Sequence, residues 1–326
     1  MPPKRKEHPP ITHANLVPPY HDYAYFEDAA ANPFRPAARG FEMVNAWWLA
    51  EAATLAFHLP GKVEAEFRAA GFSFVEAIER VGTECFVAAN DEFVVVSFRG
   101  VESGMRGDGV DFRHIFTDLF TSARLRLVPF GAGAGAVHEG FLRAYEVVDG
   151  DLRRVLSGLD DGRRTFWFTG HSLGGALATI AAARAERLHG LYTYGSPRVG
   201  DVAFAVAFAR DFAARFGVES YRFVNDSDII TVVPPHGVYR HVGSLKHIRP
   251  DGRISDDPTL LSGLSDTIAD IGGKLRGLLL GPFAGGLSRL EARLLDLALE
   301  GVTDHVPTLY ATHIWNAYAE EQGGGE

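Results

Sequence analysis

Short apolar runs alternate with helical patterns through the middle of the chain. Runs of β-branched and aromatic residues predict buried strands, namely FVVVSF (93–98), TFWF (165–168), LYTY (191–194) and YRFV (221–224). The intervening segments show helical spacing of apolar residues or are rich in alanine, which predicts an amphipathic helix over 41–58 and further helices over 139–156, 173–188 and 201–216. Strands that alternate with helices indicate the α/β class, with a largely parallel sheet covered on both faces.

A leucine-rich segment near the C-terminal end departs from this alternation. Apolar residues recur every three or four positions over 260–278 and again over 287–297, which predicts a pair of helices with one apolar face each. The first 19 residues are rich in Pro, His and Lys and predict a disordered or extended tail. We therefore expect a tail over 1–19 and a single domain over 20–326, with a helical insertion at about 251–300.

Composition and charge narrow the possible partners and locations. The chain has 326 residues and a formal net charge of −9, which disfavours a nucleic-acid partner. No stretch approaches the ~18 apolar residues of a transmembrane helix, and MPPKRKEHPP lacks the apolar core of a secretory signal. Cys85 is the only cysteine, so no internal disulfide can form. These observations predict a cytoplasmic protein without a transmembrane segment.

The stretch TGHSLGG places Ser172 between a predicted strand and a predicted helix. In a nucleophile elbow the serine lies on a tight strand-to-helix turn, where side chains at Gly170 and Gly174 would collide with neighbouring backbone. The N-terminus of the following helix favours developing negative charge, and the N–H of Leu173 is a candidate oxyanion donor. Ser172 is therefore the predicted nucleophile.

A serine hydroxyl becomes reactive when a histidine accepts its proton and a carboxylate orients that histidine. In a sheet with a nucleophile elbow, the acid and then the histidine follow the serine along the chain. Asp228 comes shortly after the strand YRFV and is the preferred acid, with Asp226 as its rival. His305 and His313 both follow the leucine-rich segment, and their positions do not distinguish between them.

Eight stretches of the chain, in order, resemble the class 3 (fungal-type) lipase family of α/β-hydrolases. They are SFRG (97–100), TDL (117–119), VHEGF (137–141), TGHSLGGALA (169–178), YTYGSPRVGD (192–201), RFVNDSDIITVVPP (222–235), YRHVG (239–243) and DHVPTLY (304–310). The resemblance covers roughly residues 93–310. It implies an α/β-hydrolase fold, a mostly parallel central sheet flanked by helices, with a helical insertion before the catalytic histidine.

The resemblance also implies roles for matching residues. Ser172 matches the family's nucleophile, Asp228 its acid and His305 its base, which favours His305 over the second candidate histidine. The residue after FRG, commonly Thr or Ser in the family, is an oxyanion donor, and here it is Val101, which offers only its backbone N–H. The family's lid follows this position, and the matching stretch is 101–120.

Taken together, these residues predict a serine carboxylic ester hydrolase, a lipase or esterase that acts on acylglycerols or other fatty acyl esters through an acyl-enzyme. The expected partner is a lipid or ester small molecule, with transient contact at a lipid interface. A Ser–His–Asp mechanism requires no cofactor, and none is expected, nor is a metal ion. Two alternatives remain: a catalytically weak or inactive lipid-binding member, since Val101 lacks the hydroxyl, and an acyltransferase in which an alcohol captures the acyl group.

Overall fold

An eight-stranded sheet lies at the centre of this computed structural model, which describes residues 2–10, 18–100, 126–131, 133–234, 236–257, 301 and 303–323. The strands are β1 Phe74–Arg80, β2 Thr83–Ala89, β3 Phe93–Phe98, β4 Leu127–Pro129, β5 Ala136–His138, β6 Thr165–His171, β7 Gly190–Tyr194, β8 Ser220–Asn225, β9 Ser244–Ile248 and β10 Ile254–Ser255. The central sheet has the order β1-β2-β3-β6-β7-β8-β9-β10, and β4 pairs separately with β5. Neighbouring strands are parallel from β3 to β9 and antiparallel at both edges. The predicted mostly parallel sheet is confirmed.

Helices cover both faces of this sheet. They are α1 Met43–Leu55, α2 Pro60–Ala69, α3 Glu139–Leu159, α4 Leu173–Arg184, α5 Val202–Phe216 and α6 Pro307–Gly323. Along β3, Phe93 and Val95 share an apolar cluster with residues of α1 and α6, while Val94 and Val96 share one with residues of α3, α4 and α5. Because successive strand residues point to opposite faces, a sheet covered on both sides requires this uninterrupted apolar run.

The first helix differs from its prediction. The apolar spacing over 41–58 predicts an amphipathic helix, but all thirteen residues of α1 are buried. Trp47 lies 4.5 Å from the ring of Trp315 in α6, and Glu51 accepts a hydrogen bond from the hydroxyl of Tyr23 at 2.8 Å. Segments far away in the sequence therefore cover the face that the pattern assigns to solvent.

The structure describes part of the predicted N-terminal tail but almost none of the predicted helical insertion. Residues 4–6 contact α6, where Trp315 Nε1 donates to the carbonyl of Lys4 at 2.7 Å and Lys6 N–H donates to Asn316 Oδ1 at 2.7 Å. The predicted helical insertion lies almost wholly outside the described residues, since 258–300 are not among them, and β10 adds an edge strand before that segment. The division at residue 19 and the single domain over 20–326 stay predictions.

Candidate active site

Ser172 occupies the turn between β6 and α4. Its backbone has φ +58° and ψ −130°, a region that residues with a side chain rarely adopt. A Cβ atom on Gly170 would lie 2.3 Å from the backbone of Gly174, and one on Gly174 would lie 2.1 Å from the carbonyl oxygen of Phe98. The tight turn thus requires glycine on both sides of the serine, and it directs the Ser172 hydroxyl toward the C-terminal end of the sheet.

Ser172, His305 and Asp228 form a continuous hydrogen-bonded chain. His305 Nε2 lies 2.9 Å from Ser172 Oγ, and His305 Nδ1 lies 2.8 Å and 3.0 Å from the two carboxylate oxygens of Asp228. Since a carboxylate accepts, Nδ1 carries the hydrogen and the lone pair of Nε2 faces the serine hydroxyl. All three side chains are buried. This arrangement can transfer a proton from the serine to the imidazole.

Two further donors hold the Asp228 carboxylate. Asp228 caps a 3₁₀ helix over Ile229–Val232, in which the N–H of Ile230 donates to Oδ1 at 2.9 Å. The hydroxyl of Tyr310 donates to Oδ2 at 2.6 Å and accepts from the backbone N–H of Asn225 at 2.9 Å. Burial, followed by the charge of Asp228, raises the pKa of Tyr310 well above its usual value, so the hydroxyl remains a donor. The buried carboxylate therefore receives hydrogen bonds from three groups of the protein, namely His305, Tyr310 and the N–H of Ile230.

The loop that carries His305 is attached to the loop that carries Asp228. The Ser227 hydroxyl donates to the Asp304 carboxylate at 2.6 Å, and Asn225 Nδ2 donates to the Asp304 carbonyl at 3.0 Å. Burial raises the pKa of Asp304 to about 6. These contacts bring together residues that are 77 and 79 positions apart in the sequence, and they fix the imidazole relative to its carboxylate.

The side chain of His171 packs against His305. Its Nε2–H donates to the backbone carbonyl of His305 at 2.7 Å, and the two rings lie 4.4 Å apart. Burial and the neighbouring His305 lower the pKa of His171 well below the ordinary value, so the ring is neutral. Sequence reasoning missed this contact and also the role of Tyr310. A signal for Tyr310 existed, because it closes the stretch DHVPTLY.

The rival candidates lie elsewhere. The backbone N–H of Asp226 donates to the carbonyl of Ile248 at 2.8 Å, and its own carbonyl lies 3.1 Å from His247 Nε2. His313 lies within α6 with its ring 4.2 Å from that of His8, and burial lowers its pKa to about 4. The structure therefore brings Asp228 and His305, rather than Asp226 and His313, to Ser172.

Of the two candidate oxyanion donors, Leu173 lies within the described residues and Val101 does not. Leu173 is the first residue of α4, so its N–H has no carbonyl partner earlier in the helix and is available at the positive end of the helix dipole. Val101 and the matching lid stretch 101–120 lie outside the described residues. Just before them, Arg99, the residue after β3, forms a partly buried ion pair with Glu84, with Nη1 2.6 Å from Oε2.

Two findings on the described ranges concern metal binding and membrane insertion. Within them, no group of three or more His, Cys, Asp or Glu side chains is arranged to hold a metal ion. The helices of the same ranges include none with both the length and the apolar character needed to cross a bilayer.

Comparisons with known proteins agree with the sequence resemblance. The model of the family described as Lipase (class 3) matches residues 95–238. Secreted mono- and diacylglycerol lipase 1 of Fusarium solani is 36% identical over 171 residues, which are 50% of this chain and 46% of that protein. A lipase of Rhizomucor miehei is 40% identical over 111 residues, 30% of this chain and 29% of that protein. The chain thus spans less than half the length of these two relatives.

A solved structure supports the fold. The crystal structure of a lipase from Rhizopus microsporus var. chinensis aligns with a TM-score of 0.50 at 24% identity, over 66% of this chain and 81% of that chain. The predicted α/β-hydrolase fold is confirmed. The relatives named here are lipases, and neither the inactive lipid-binding alternative nor the acyltransferase alternative gains support from them.

The predicted cytoplasmic location is wrong. The Fusarium solani relative is a secreted enzyme by its name, which contradicts the prediction. The prediction relied on the composition of the first residues and on Cys85 as the only cysteine. A chain of this size can bury a large apolar core without disulfides, so a lack of disulfides does not distinguish a reducing compartment from an oxidising one.

Proposed function

Because the chain belongs to the class 3 lipase family through residues 95–238, we propose that it hydrolyses carboxylic esters of acylglycerols through an acyl-enzyme. The observation that carries this proposal is the hydrogen-bonded chain from Ser172 Oγ to His305 Nε2, and from His305 Nδ1 to the Asp228 carboxylate. These three hydrogen-bonded side chains supply the nucleophile, the base and the orienting acid of covalent ester hydrolysis.

In the first half of the reaction, Ser172 Oγ attacks the ester carbonyl carbon while His305 Nε2 accepts the hydroxyl proton. The resulting imidazolium is stabilised by Asp228, whose charge is in turn held by Tyr310 and the N–H of Ile230. The N–H of Leu173, with that of Val101 as the second proposed donor, stabilises the oxyanion. Collapse of the intermediate breaks the ester C–O bond, and His305 returns the proton to the departing alcohol.

In the second half, water replaces the alcohol. His305 accepts a proton from the water as its oxygen attacks the acyl carbon, and the same oxyanion donors stabilise the second intermediate. Breakage of the bond to Ser172 Oγ releases the carboxylic acid, and His305 reprotonates the serine. The name of the Fusarium solani relative favours mono- or diacylglycerols as substrates, which implies transient contact with a lipid interface.

The experiment that tests this proposal combines an ester assay with a fluorophosphonate probe that labels activated serines. Ser172→Ala should abolish labelling and lower kcat by about 10⁶-fold, the effect expected when the nucleophile of a triad is removed. Ser157→Ala, on the exposed side of α3, is the matched control and should keep both signals. His305→Ala should lose labelling, whereas His313→Ala should retain it.

Two outcomes would contradict the proposal. A wild-type protein that does not react with the probe would indicate a chain without an activated serine. Labelling that persists in Ser172→Ala would place the nucleophile at another residue.

A further inference from the structure

A cluster of basic side chains lies beside the segment that follows Asp228. The guanidinium of Arg198 donates through Nη1 to the carbonyl of Pro234 at 2.8 Å and also to the carbonyl of Val232. His241 Nε2 donates to the carbonyl of Thr231 at 2.7 Å. Since both side chains bind carbonyls of the same short stretch, 231–234, they lie next to each other.

Arg222 completes this basic cluster from the middle of β8. Its neighbours across the sheet are Thr193 in β7 and Leu245 in β9, and in a parallel register these three side chains share one face. Burial and then repulsion from Arg198 lower the pKa of Arg222 to about 10. Burial and then the charges of Arg222 and Arg198 lower the pKa of His241 well below its ordinary value, so that ring is a neutral donor.

Arg240 lies at the edge of the basic cluster. Its backbone N–H donates to the carbonyl of Gly200 at 2.7 Å, two residues after Arg198, and its charge contributes to lowering the pKa of Arg198 to about 10. Arg222 and Arg240 are partly exposed, whereas Arg198 is buried. The basic cluster can therefore be reached from solvent through Arg222 and Arg240.

The basic cluster lacks an acidic partner within the described residues. None of the carboxylates described there pairs with Arg198 or Arg222, and no described atom accepts a hydrogen bond from the Arg222 guanidinium. Acidic residues are plentiful in a chain of net charge −9, and arginines elsewhere are paired, such as Arg153 with Asp149 at 2.8 Å. Among the described residues, none of the buried side-chain atoms without a hydrogen-bond partner belongs to Arg222, so its unused N–H groups face solvent and can bind an anion.

We propose that the basic cluster is a binding site for a phosphate-type oxyanion. The planar fork of Arg222 matches a tetrahedral oxyanion in two-pronged geometry, and Arg240 adds charge at the entrance. A bound anion would relieve the repulsion among Arg198, Arg222 and Arg240. The anion is either free phosphate or the phosphate group of a lipid headgroup, and both present the same oxygens.

The first test is thermal unfolding in a phosphate titration at constant ionic strength, with chloride as the replaced anion. The wild-type Tm should rise saturably, by about 2 °C when phosphate reaches roughly ten times its dissociation constant. Arg222→Gln should lose the saturable rise, while Arg163→Gln, whose side chain is 86% exposed, should keep it. The general stabilisation by phosphate salts does not saturate and should be common to all three proteins.

A conservative variant guards against loss of folding. Arg222→Lys keeps the charge but not the fork, and it should bind phosphate roughly tenfold more weakly than the wild type. In phosphate-free buffer, Arg222→Gln should have a Tm equal to or above that of the wild type, because it removes an uncompensated charge. A purely structural arginine would instead show a lower Tm in that variant.

Vesicle binding identifies the source of the phosphate. Flotation with phosphatidic acid vesicles, compared with the same variants and with added inorganic phosphate as competitor, tests the lipid headgroup. Binding that requires Arg222 and is competed by phosphate assigns the headgroup, and saturable phosphate binding without flotation assigns the free anion. The proposal is overturned when the wild type shows no saturable shift, or when Arg222→Gln retains it.

Discussion

The segment from Asp228 to Pro234 is contacted by two groups of charged side chains that are organised in opposite ways. On one side, the Asp228 carboxylate receives hydrogen bonds from His305, Tyr310 and the N–H of Ile230. On the other side, Arg198 uses one nitrogen on two backbone carbonyls, and Arg222 has no described acceptor. The acidic side is complete within the chain, whereas the basic side has unused donors. A complete hydrogen-bond network holds the groups of the proposed proton transfer in one fixed arrangement. Unused donors are available to a ligand that binds reversibly.

Of the three effects that test this contrast, the largest is expected on kcat when the Asp228 carboxylate is replaced. Asp228→Asn should lower kcat by about 10³–10⁴-fold, because an amide neither stabilises the imidazolium nor holds His305 in the tautomer with its lone pair toward the serine. Kinetics on a short-chain p-nitrophenyl ester measures this. Asp226→Asn is the matched control, since asparagine also tolerates the positive φ of +36° at that position. A control that loses as much activity as Asp228→Asn would remove the distinction between the two carboxylates.

The basic side predicts an intermediate effect, and the effect is on stability. Arg198→Gln should lower the free energy of unfolding by about 2–4 kcal/mol, because the shorter amide leaves the partly buried carbonyl of Val232 and the buried carbonyl of Pro234 without a donor. In the same phosphate-free buffer, Arg222→Gln should change it by less than about 0.5 kcal/mol. Urea unfolding monitored by tryptophan fluorescence gives both values. Equal losses in the two variants would mean that Arg222 is as structural as Arg198.

Local patterns carried much of the fold and part of the site. The apolar runs of β3 and β6 predicted their strands because a strand between two helical layers is buried on both faces. The turn around Ser172 was predictable because its glycines are required by contacts within a few residues or with a neighbouring strand. The burial of α1 on all sides was not, since residues from both ends of the chain cover it.

The choice of the catalytic base is a feature that the order of residues along the chain does not determine. His305 and His313 are eight positions apart, and both follow the predicted acid, so their order along the chain carries no preference. The choice depends on the contacts of Asp304 with Ser227 and Asn225, which join loops far apart in sequence. The family resemblance favoured His305 because it contains the outcome of such contacts, which spacing does not.

The smallest expected effect is on the acidic side and concerns Tyr310. Tyr310→Phe removes one donor from Asp228 and the acceptor of the Asn225 N–H, so kcat should fall about tenfold while KM stays unchanged. Tyr318→Phe is the control from the same helix, where the hydroxyl donates to Asn32 Oδ1 at 3.1 Å. Both variants should lose about 1 kcal/mol of stability, so only the kinetics separates them. If Tyr310→Phe retained full kcat, the carboxylate would need fewer donors than it has, and the contrast with the basic side would be one of degree.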